Sequence, residues 1–475
     1  MTPFETQVAS LRGDGKFFAA GRPIFIGRCP GRLDLMGGNV DYTGGLVFEA
    51  TIREATWGAV QLRDDRRVVF WNPQMAERGW QQRVEFELDA LTDDVTVRRL
   101  VNANPSVRWT AYALGNFFLL AQRYPRAVKT GANVYLHSEV PLNKGVSSSA
   151  AIEIAVMKPA ARAYGIDLHG IELAEACQWV ENVIAESACG IMDQAAATLG
   201  DEGYVLPLLC QPCKAFPLVR LPEELHCWAV DSGVSHAVTG IEYEAARAAA
   251  FMGYKLICDW EGLPVTQDTK SSIPRFTDPR WRGYLSEVTP SVFRSKYELR
   301  LPERMAGGEF LREGQFHPDP FTTVRPEIQY RIRNCTRYAI EENQRIQLFV
   351  ELARGASANA AESAYRLMGD LMYQSHYSYT ECGLGNEATD LLVELVREQG
   401  AAAGLYGAKV TGGGAGGTVA ILGHRNARAA FDKVVRAYGH ARHMEPYVID
   451  GSSMGADRFG IIVQEELSSV LRSQL

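Results

Sequence analysis

The run Pro141-Leu142-Asn143-Lys144-Gly145-Val146-Ser147-Ser148-Ser149-Ala150-Ala151 is the stretch from which the rest of the chain can be read. It follows an alternating apolar segment, Ala132 to Leu136, that predicts a strand, and it leads into an Ala/Ile/Val-rich helical pattern. A short Gly/Ser loop opening a helix is a ready anion site. The first helical N–H groups have no intrahelical partner, and the helix dipole favours negative charge there. Three consecutive hydroxyls add donors to phosphate oxygens, or a ligand for the Mg2+ that rides on them. The run is not a Walker A loop, because G-x-x-x-x-G-K-[ST] does not occur in this chain. Alone, it also fits an ordinary helix cap with two spare serines.

Two further segments remove that ambiguity. Upstream stands Gly27-Arg28-Cys29-Pro30-Gly31-Arg32-Leu33-Asp34-Leu35-Met36-Gly37-Gly38-Asn39-Val40-Asp41-Tyr42-Thr43-Gly44-Gly45. Downstream stands Lys409-Val410-Thr411-Gly412-Gly413-Gly414-Ala415-Gly416-Gly417-Thr418-Val419. In order and spacing the three resemble the signature motifs of the GHMP small-molecule kinases, and the resemblance spans nearly the whole chain. It implies a two-domain α+β fold with the active site in the cleft between the domains, and ATP with Mg2+ as cofactors.

Composition bounds the reading. A chain of 475 residues exceeds what one hydrophobic core usually supports, so more than one domain is expected. Apolar content of 46% and charged content of 22% are those of a globular protein. The net charge of −7 argues against a general nucleic-acid binder, though not against a nucleotide site with local positive potential. No stretch approaches the roughly 18 apolar residues of a membrane span, and no basic-then-apolar leader opens the sequence. Nine scattered cysteines suit reduced thiols and a cytoplasmic protein. Cys210-Gln-Pro-Cys213 has redox spacing but no second C-x-x-C or His pair, so incidental thiols are the better reading.

Residues 22–28 and 46–60 predict strands around the first motif, as do 68–71 and 84–88. Trp109 to Tyr124 has helical spacing and stops at Pro125. Pro159 falls inside the helix after the serine run, where a bend or early end is expected. Further helices are predicted at 173–184, up to Leu199, and at 340–354, 358–373 and 387–397. Strands are expected at 204–209, 226–231, 408–411 and 419–422, with closing segments at 448–450 and 459–463. Without a regular βαβ beat, α+β is favoured over a doubly wound sheet. The domains are placed at 1–224 and 225–475. The second carries a Pro/Arg/Gly-rich insertion or lid at about 259–333 and the glycine loop 411–418.

Phosphoryl transfer asks for positioning and charge stabilisation. Lys144, Gly145, Val146, Ser147, Ser148, Ser149 and Ala150 would cradle the phosphates. The resemblance implies that Ser149 and Glu181 hold Mg2+, and that Asp193, in Gly190-Ile-Met-Asp193-Gln, is the catalytic aspartate. A carboxylate there can accept the acceptor's proton, although Asp193 could also simply cap the helix after it. Arg32, in an apparent Pro-Gly-Arg turn, stands where those kinases keep an arginine that pairs with this aspartate and keeps it ionised. Trp109 occupies the place of an aromatic that packs on adenine; core packing is its alternative. Lys144 adds a phosphate contact or points to solvent. The run 411–418 lacks the βαβ context of a Rossmann fingerprint and reads as a loop whose backbone approaches the substrate.

For the sugar, the resemblance implicates Asp41, Gly190, Asp193, Tyr243, Gly413 and Gly414. Galactokinases read Gly-Glu-His-Thr-Asp-Tyr where this chain has Gly37-Gly38-Asn39-Val40-Asp41-Tyr42. The Glu-His pair that serves a hexose's hydroxymethyl end is replaced by Gly38-Asn39, which points to a pentose. Several stretches, among them 31–38, 190–194, 210–212 and 373–385, look like the L-arabinokinase branch. The expectation is an ATP-dependent kinase making L-arabinose 1-phosphate, a monomer or weak homo-oligomer whose partners are sugar and ATP. A galactokinase, a kinase for another pentose or a uronic acid, and a silent sugar/ATP sensor are the alternatives.

Overall fold

The computed structural model describes residues 1–235, 240–268, 275–312, 316–355 and 361–465. Two long strands, β1 (Ile24–Met36) and β2 (Leu46–Leu62), form its backbone. Both are rich in β-branched and apolar residues and buried along most of their length. They pair antiparallel, with register shifts between Pro30 and Arg32 and between Asp34 and Met36. The expected turn at Pro30-Gly31-Arg32 is therefore an irregularity inside a strand. Proline, lacking an N–H, is tolerated at a bulge. Gly31 leaves room for the Val146 carbonyl, which would lie 2.6 Å from a Cβ there.

The larger sheet runs Ile462–Gln464, β1, β2, Ala132–Ser138, Arg67–Trp71, Arg83–Glu87, and Tyr204–Leu209 pairs with the first half of β2. Among the described strands of this sheet, only Arg67–Trp71 and Ala132–Ser138 pair in parallel. A second sheet, Leu405–Val410, Thr418–His424, Leu225–Asp231 and Val448–Asp450, is antiparallel throughout. Mixed sheets backed by helices make this an α+β protein. We propose the domain division near residue 225 on the start of the smaller sheet at Leu225; the closing strand Ile462–Gln464 returns to the larger sheet beside Ile24–Ile26.

The helix Ser148–Ala163 lies across β1 and β2. It does not end at Pro159 but runs on to Ala163. Pro159 gives the Ala155 carbonyl no helical N–H, and that carbonyl faces Gly27 and Gly58, which oppose each other across β1 and β2. A Cβ on Gly27 would come within 2.8 Å of the Pro159 ring, and one on Gly58 would overlap the Ala155 oxygen. Two facing glycines thus let the proline-bearing turn settle onto the sheet.

The predicted helices near 340 and 387 are Ile332–Gly355 and Glu387–Gln399. The helix expected from 358 is described as Ala361–Cys382; its first residues, 358–360, lie outside the described ones. In the segment 259–333, positions 269–274 and 313–315 lie outside the described residues. The remainder is packed structure, not a detached lid: Leu285, Phe293, Leu301 and Phe310 are buried in the main core. Tyr284 abuts Gly44, and Ser286 Oγ donates to the Thr43 carbonyl at 2.9 Å, so this segment buttresses the loop after β1. All nine cysteines are free thiols, Cys210 and Cys213 included. Among the described residues no helix is long and apolar enough to cross a membrane.

Candidate active site

Between the sheets lies a cavity of about 460 Å3. The serine run forms its floor. Asn143, Gly145 and Ser147 alternate at positive φ (59°, 72° and 61°), and the helix begins at Ser148 with no side-chain cap. The N–H groups of its first turn are therefore free for a ligand. A non-glycine residue in the left-handed region is held there by its surroundings. Arg32 N–H donates to the Val146 carbonyl (3.2 Å), Arg32 Nη1 to Gly145 (2.7 Å) and Thr418 Oγ1 to Lys144 (2.8 Å). Elements of both sheets thus hold the loop's backbone.

Arg32 and Asp193 meet above this loop. Asp193 lies in the first turn of Met192–Leu199, whose N-cap position is Ile191, so its carboxylate is not the helix cap. Instead it accepts from Arg32 Nε (2.9 Å) and Nη2 (2.7 Å). Arg32 is buried, and the charges of Asp193, Glu49 and Asp34 raise its pKa against the opposing effect of burial, so it stays cationic. Behind it, Glu49 Oε2 lies 3.5 Å away, and Lys409 Nζ pairs with Asp34 Oδ2 at 2.7 Å, both wholly buried.

The Asp41 carboxylate lines the same end, fixed by the Tyr42 N–H at 2.7 Å. Burial, with the nearby charge of Asp193, pushes its pKa up to about 7, and Arg247 opposes the shift. Gly190 is glycine because a Cβ there would overlap an Asp41 carboxylate oxygen. Tyr243, Gly38, Asn39 and Gly413 complete this wall. Gly414 stands just behind it; a Cβ there would lie 2.7 Å from the Tyr379 ring.

Glu181 faces the serine run. Burial and the charge of Asp193 raise its pKa to about 7, while hydrogen bonds from Ser149, Cys189 and Gln194 act the other way. Gln194 Nε2 donates to Glu181 (2.6 Å) and to Glu153 (3.1 Å). Ser147 Oγ, Glu153 Oε1 and Gln194 Oε1 are buried without a hydrogen-bond partner. Such a set of hard oxygens, some unsatisfied, fits a hard divalent cation. Among the described residues no three His, Cys, Asp or Glu side chains converge into a metal-binding group, so an ion here would draw its remaining ligands from phosphate and water.

The opposite end of the cavity is aromatic and basic. Trp109 is buried, its Nε1 donating to the Gln81 carbonyl at 2.9 Å and its ring edge-to-face with Phe70. One side of it still lines the cavity, so core packing and wall are both realised. Trp80, Arg78, Arg108 and Tyr112 share that wall and escaped the sequence reading. Arg78, Arg108 and Trp80 lie in or beside short 3-10 turns, where no period marks a face, and Tyr112 lies in the first turn of the helix Ala111–Arg123. Lys144 neither enters the cavity nor points to solvent: its Nζ pairs with Asp231 at 2.9 Å, across to the smaller sheet. Val146 and Ala150 are buried beneath the loop.

Comparison with known proteins agrees with this geometry. The GHMP kinases N terminal domain matches residues 111–201, the GHMP kinases C terminal domain 356–441, and the galactokinase galactose-binding signature 16–62. An L-arabinokinase of Arabidopsis thaliana is 32% identical over 96% of this chain, which spans about half (48%) of that relative's length. A galactokinase of Chloroflexus aggregans is 31% identical, with 84% of each chain covered. Among solved structures, Lactococcus lactis galactokinase complexed with galactose superposes with a TM-score of 0.69 at 21% identity, covering 91% of this chain and 94% of its own. Methanococcus jannaschii mevalonate kinase does so at 0.53 and 14%, over 90% and 98%. These two show the fold. With both kinase domains matched and galactokinases aligned over most of their length, the chain belongs to the galactokinase-like GHMP sugar kinases.

Proposed function

We propose that this protein transfers the γ-phosphoryl group of ATP to the anomeric hydroxyl of L-arabinose, giving L-arabinose 1-phosphate and ADP. The observation that carries the chemistry is the Arg32–Asp193 pair beside an uncapped helix terminus in one cavity. In this reading the acceptor hydroxyl lies against Asp193. Its oxygen bonds to the γ-phosphorus as the bond to the β,γ-bridging oxygen breaks, and its proton passes to the Asp193 carboxylate. Arg32 holds that carboxylate through Nε and Nη2 and offsets charge on the reacting oxygens. Gly145 and Ser147 to Ser149, on the backbone of Lys144, Val146 and Ala150, receive the phosphates. The Trp109 wall receives the base. Ser149 and Glu181 would hold the Mg2+, which supplies charge neutralisation on the phosphates.

Asp41, Gly190, Tyr243, Asn39, Gly38, Gly413 and Gly414 would enclose the sugar. The pentose assignment is supported by the plant L-arabinokinase relative and by Gly38-Asn39, which offers no long polar side chain. The match to the galactokinase galactose-binding signature favours a second reading, a galactokinase. Comparing ADP release from ATP·Mg2+ with L-arabinose, D-galactose, D-glucuronate and D-galacturonate separates them. L-Arabinose should lead by about ten-fold, or about 1.4 kcal/mol of transition-state binding. A lead for D-galactose would overturn the pentose assignment, and no turnover at all would point to a sensor.

A further inference from the structure

Gly38 stands in the cavity wall at φ +57°, and a Cβ on it would overlap the hydroxyl of Tyr379. Tyr379 projects from the helix Ala361–Cys382 and is wholly buried behind the wall. Its hydroxyl accepts the Asn39 N–H at 3.0 Å and donates to the Gly412 carbonyl at 2.6 Å. Its ring lies where a side chain on Gly414 would have to go. Tyr338, edge-to-face with it at 5.2 Å, donates to the Gly37 carbonyl at 2.8 Å. On the cavity side, Asn39 Nδ2 reaches toward the Gly413 carbonyl at 3.5 Å.

Gly37–Asn39 follows β1 of the larger sheet, and Gly412–Gly414 is the hairpin loop of the smaller one. One phenol therefore ties together two loops from different sheets and fills the volume that a side chain at position 38 would take. At Gly38 and Gly413 the wall it holds is backbone, with no side chain there to withdraw for a larger ligand, and the Asn39 side chain beside them reaches toward the Gly413 carbonyl. Both hydrogen bonds are buried, so either loop can move only by orphaning a polar group.

Resting on the sugar-kinase reading of this cavity, we propose that Tyr379 is a positioning residue that sets the size limit of the acceptor site. It clamps Gly38–Asn39 against Gly412–Gly413 so that a pentopyranose fits and the same ring bearing a hydroxymethyl group does not.

The test is Tyr379→Phe, which removes one oxygen and keeps the ring. L-Arabinose and D-galactose are matched acceptors that differ by that carbon. The expected result is kcat for L-arabinose within about three-fold of wild type and a fall of at least ten-fold in the arabinose-to-galactose ratio of kcat/KM. In the sugar-free protein, hydrogen exchange at the Asn39 amide should quicken at least ten-fold. Gly38→Ala should harm activity less in the Tyr379→Phe background than in wild type, because the overlap with the oxygen is relieved while the ring carbon Cζ stays 2.6 Å from the new Cβ. An equal loss on both sugars with an unchanged ratio is what a merely structural tyrosine would give, and it would overturn the assignment while leaving the kinase reading intact. Wild-type protein that turned over neither sugar would instead overturn the proposed function, and the size limit with it.

Discussion

Arg32 donates from both Nε and Nη2 to the same oxygen of Asp193, Oδ1, at 2.9 and 2.7 Å. The other carboxylate oxygen is bonded by no described residue, and the side chain is 19% exposed toward the cavity. The pair therefore has one oxygen fixed by cation and one presented to a ligand. Asp193→Asn keeps the shape and removes the carboxylate that pairs with Arg32. Turnover should fall by about 10²–10⁴-fold, the usual worth of a positioned acid or base. The affinity for ATP·Mg2+, measured by calorimetry, should stay within a few-fold. A variant that kept most of the wild-type rate would remove Asp193 from the chemistry.

Asp41 predicts a pH dependence of stability. Its carboxyl titrates at about 7 in the fold because burial, aided by the charge of Asp193, penalises the ionised form. In the unfolded chain it titrates at about 3.9. A raised folded pKa means that its contribution is complete below about pH 4 and is lost as the pH rises through about 7. Asp41→Asn escapes that loss. At pH 8 the variant should be more stable than wild type by up to about 4 kcal/mol, and at pH 5 by roughly a third of that. Urea unfolding of the ligand-free proteins at the two pH values measures the difference. An advantage independent of pH would mean that Asp41 is already ionised in the fold.

Lys409 and Asp34 make a wholly buried ion pair, 2.7 Å apart, between a strand of the smaller sheet and β1 of the larger one. Glu49 sits opposite Asp34 in the β1–β2 register, and burial together with the Asp34 charge raises its pKa. Lys409 is the cation in direct contact with Asp34. Lys409→Met should cost about 3–5 kcal/mol by stranding the carboxylate. The double variant Lys409→Met with Asp34→Asn should recover most of that loss, since the pair's own net worth is small. Simple additivity of the two single losses would show that the charges do not compensate each other.

How much of this was legible in the sequence depends on the distance over which each feature is fixed. Strands such as Arg67–Trp71 and Thr418–His424, and the helix Ala111–Arg123, follow from local periodicity. The passage of β1 through Pro30 and Gly31 was not legible, because both residues signal a turn locally and only the Val146 carbonyl beneath Gly31 explains the glycine. Arg32 and Asp193 lie 161 positions apart. Nothing in spacing or composition joins them, and the family resemblance alone placed them together. Lys144 shows the opposite case: the loop suggested a phosphate contact or a solvent-facing side chain, but Asp231 lies within reach only once the smaller sheet folds across it.

Gly190 supplies the last prediction, because it separates the two ends of the cavity. It precedes the helix that carries Asp193, and a Cβ there would overlap the Asp41 carboxylate. That carboxylate is 94% shielded and pinned by the Tyr42 N–H, so it cannot simply swing aside. Gly190→Ala must therefore displace either Asp41 or the turn before Asp193. In both cases the acceptor end is deformed, while the serine run and the Trp109 wall keep their own supports. The KM for the sugar should rise about ten-fold or more, the effect of misplacing one positioned polar group. Binding of ATP·Mg2+ in the absence of sugar should stay within two-fold of wild type. Equal weakening of both ligands would mean that the two ends move as one unit, and an unchanged sugar KM would remove Asp41 from the acceptor site.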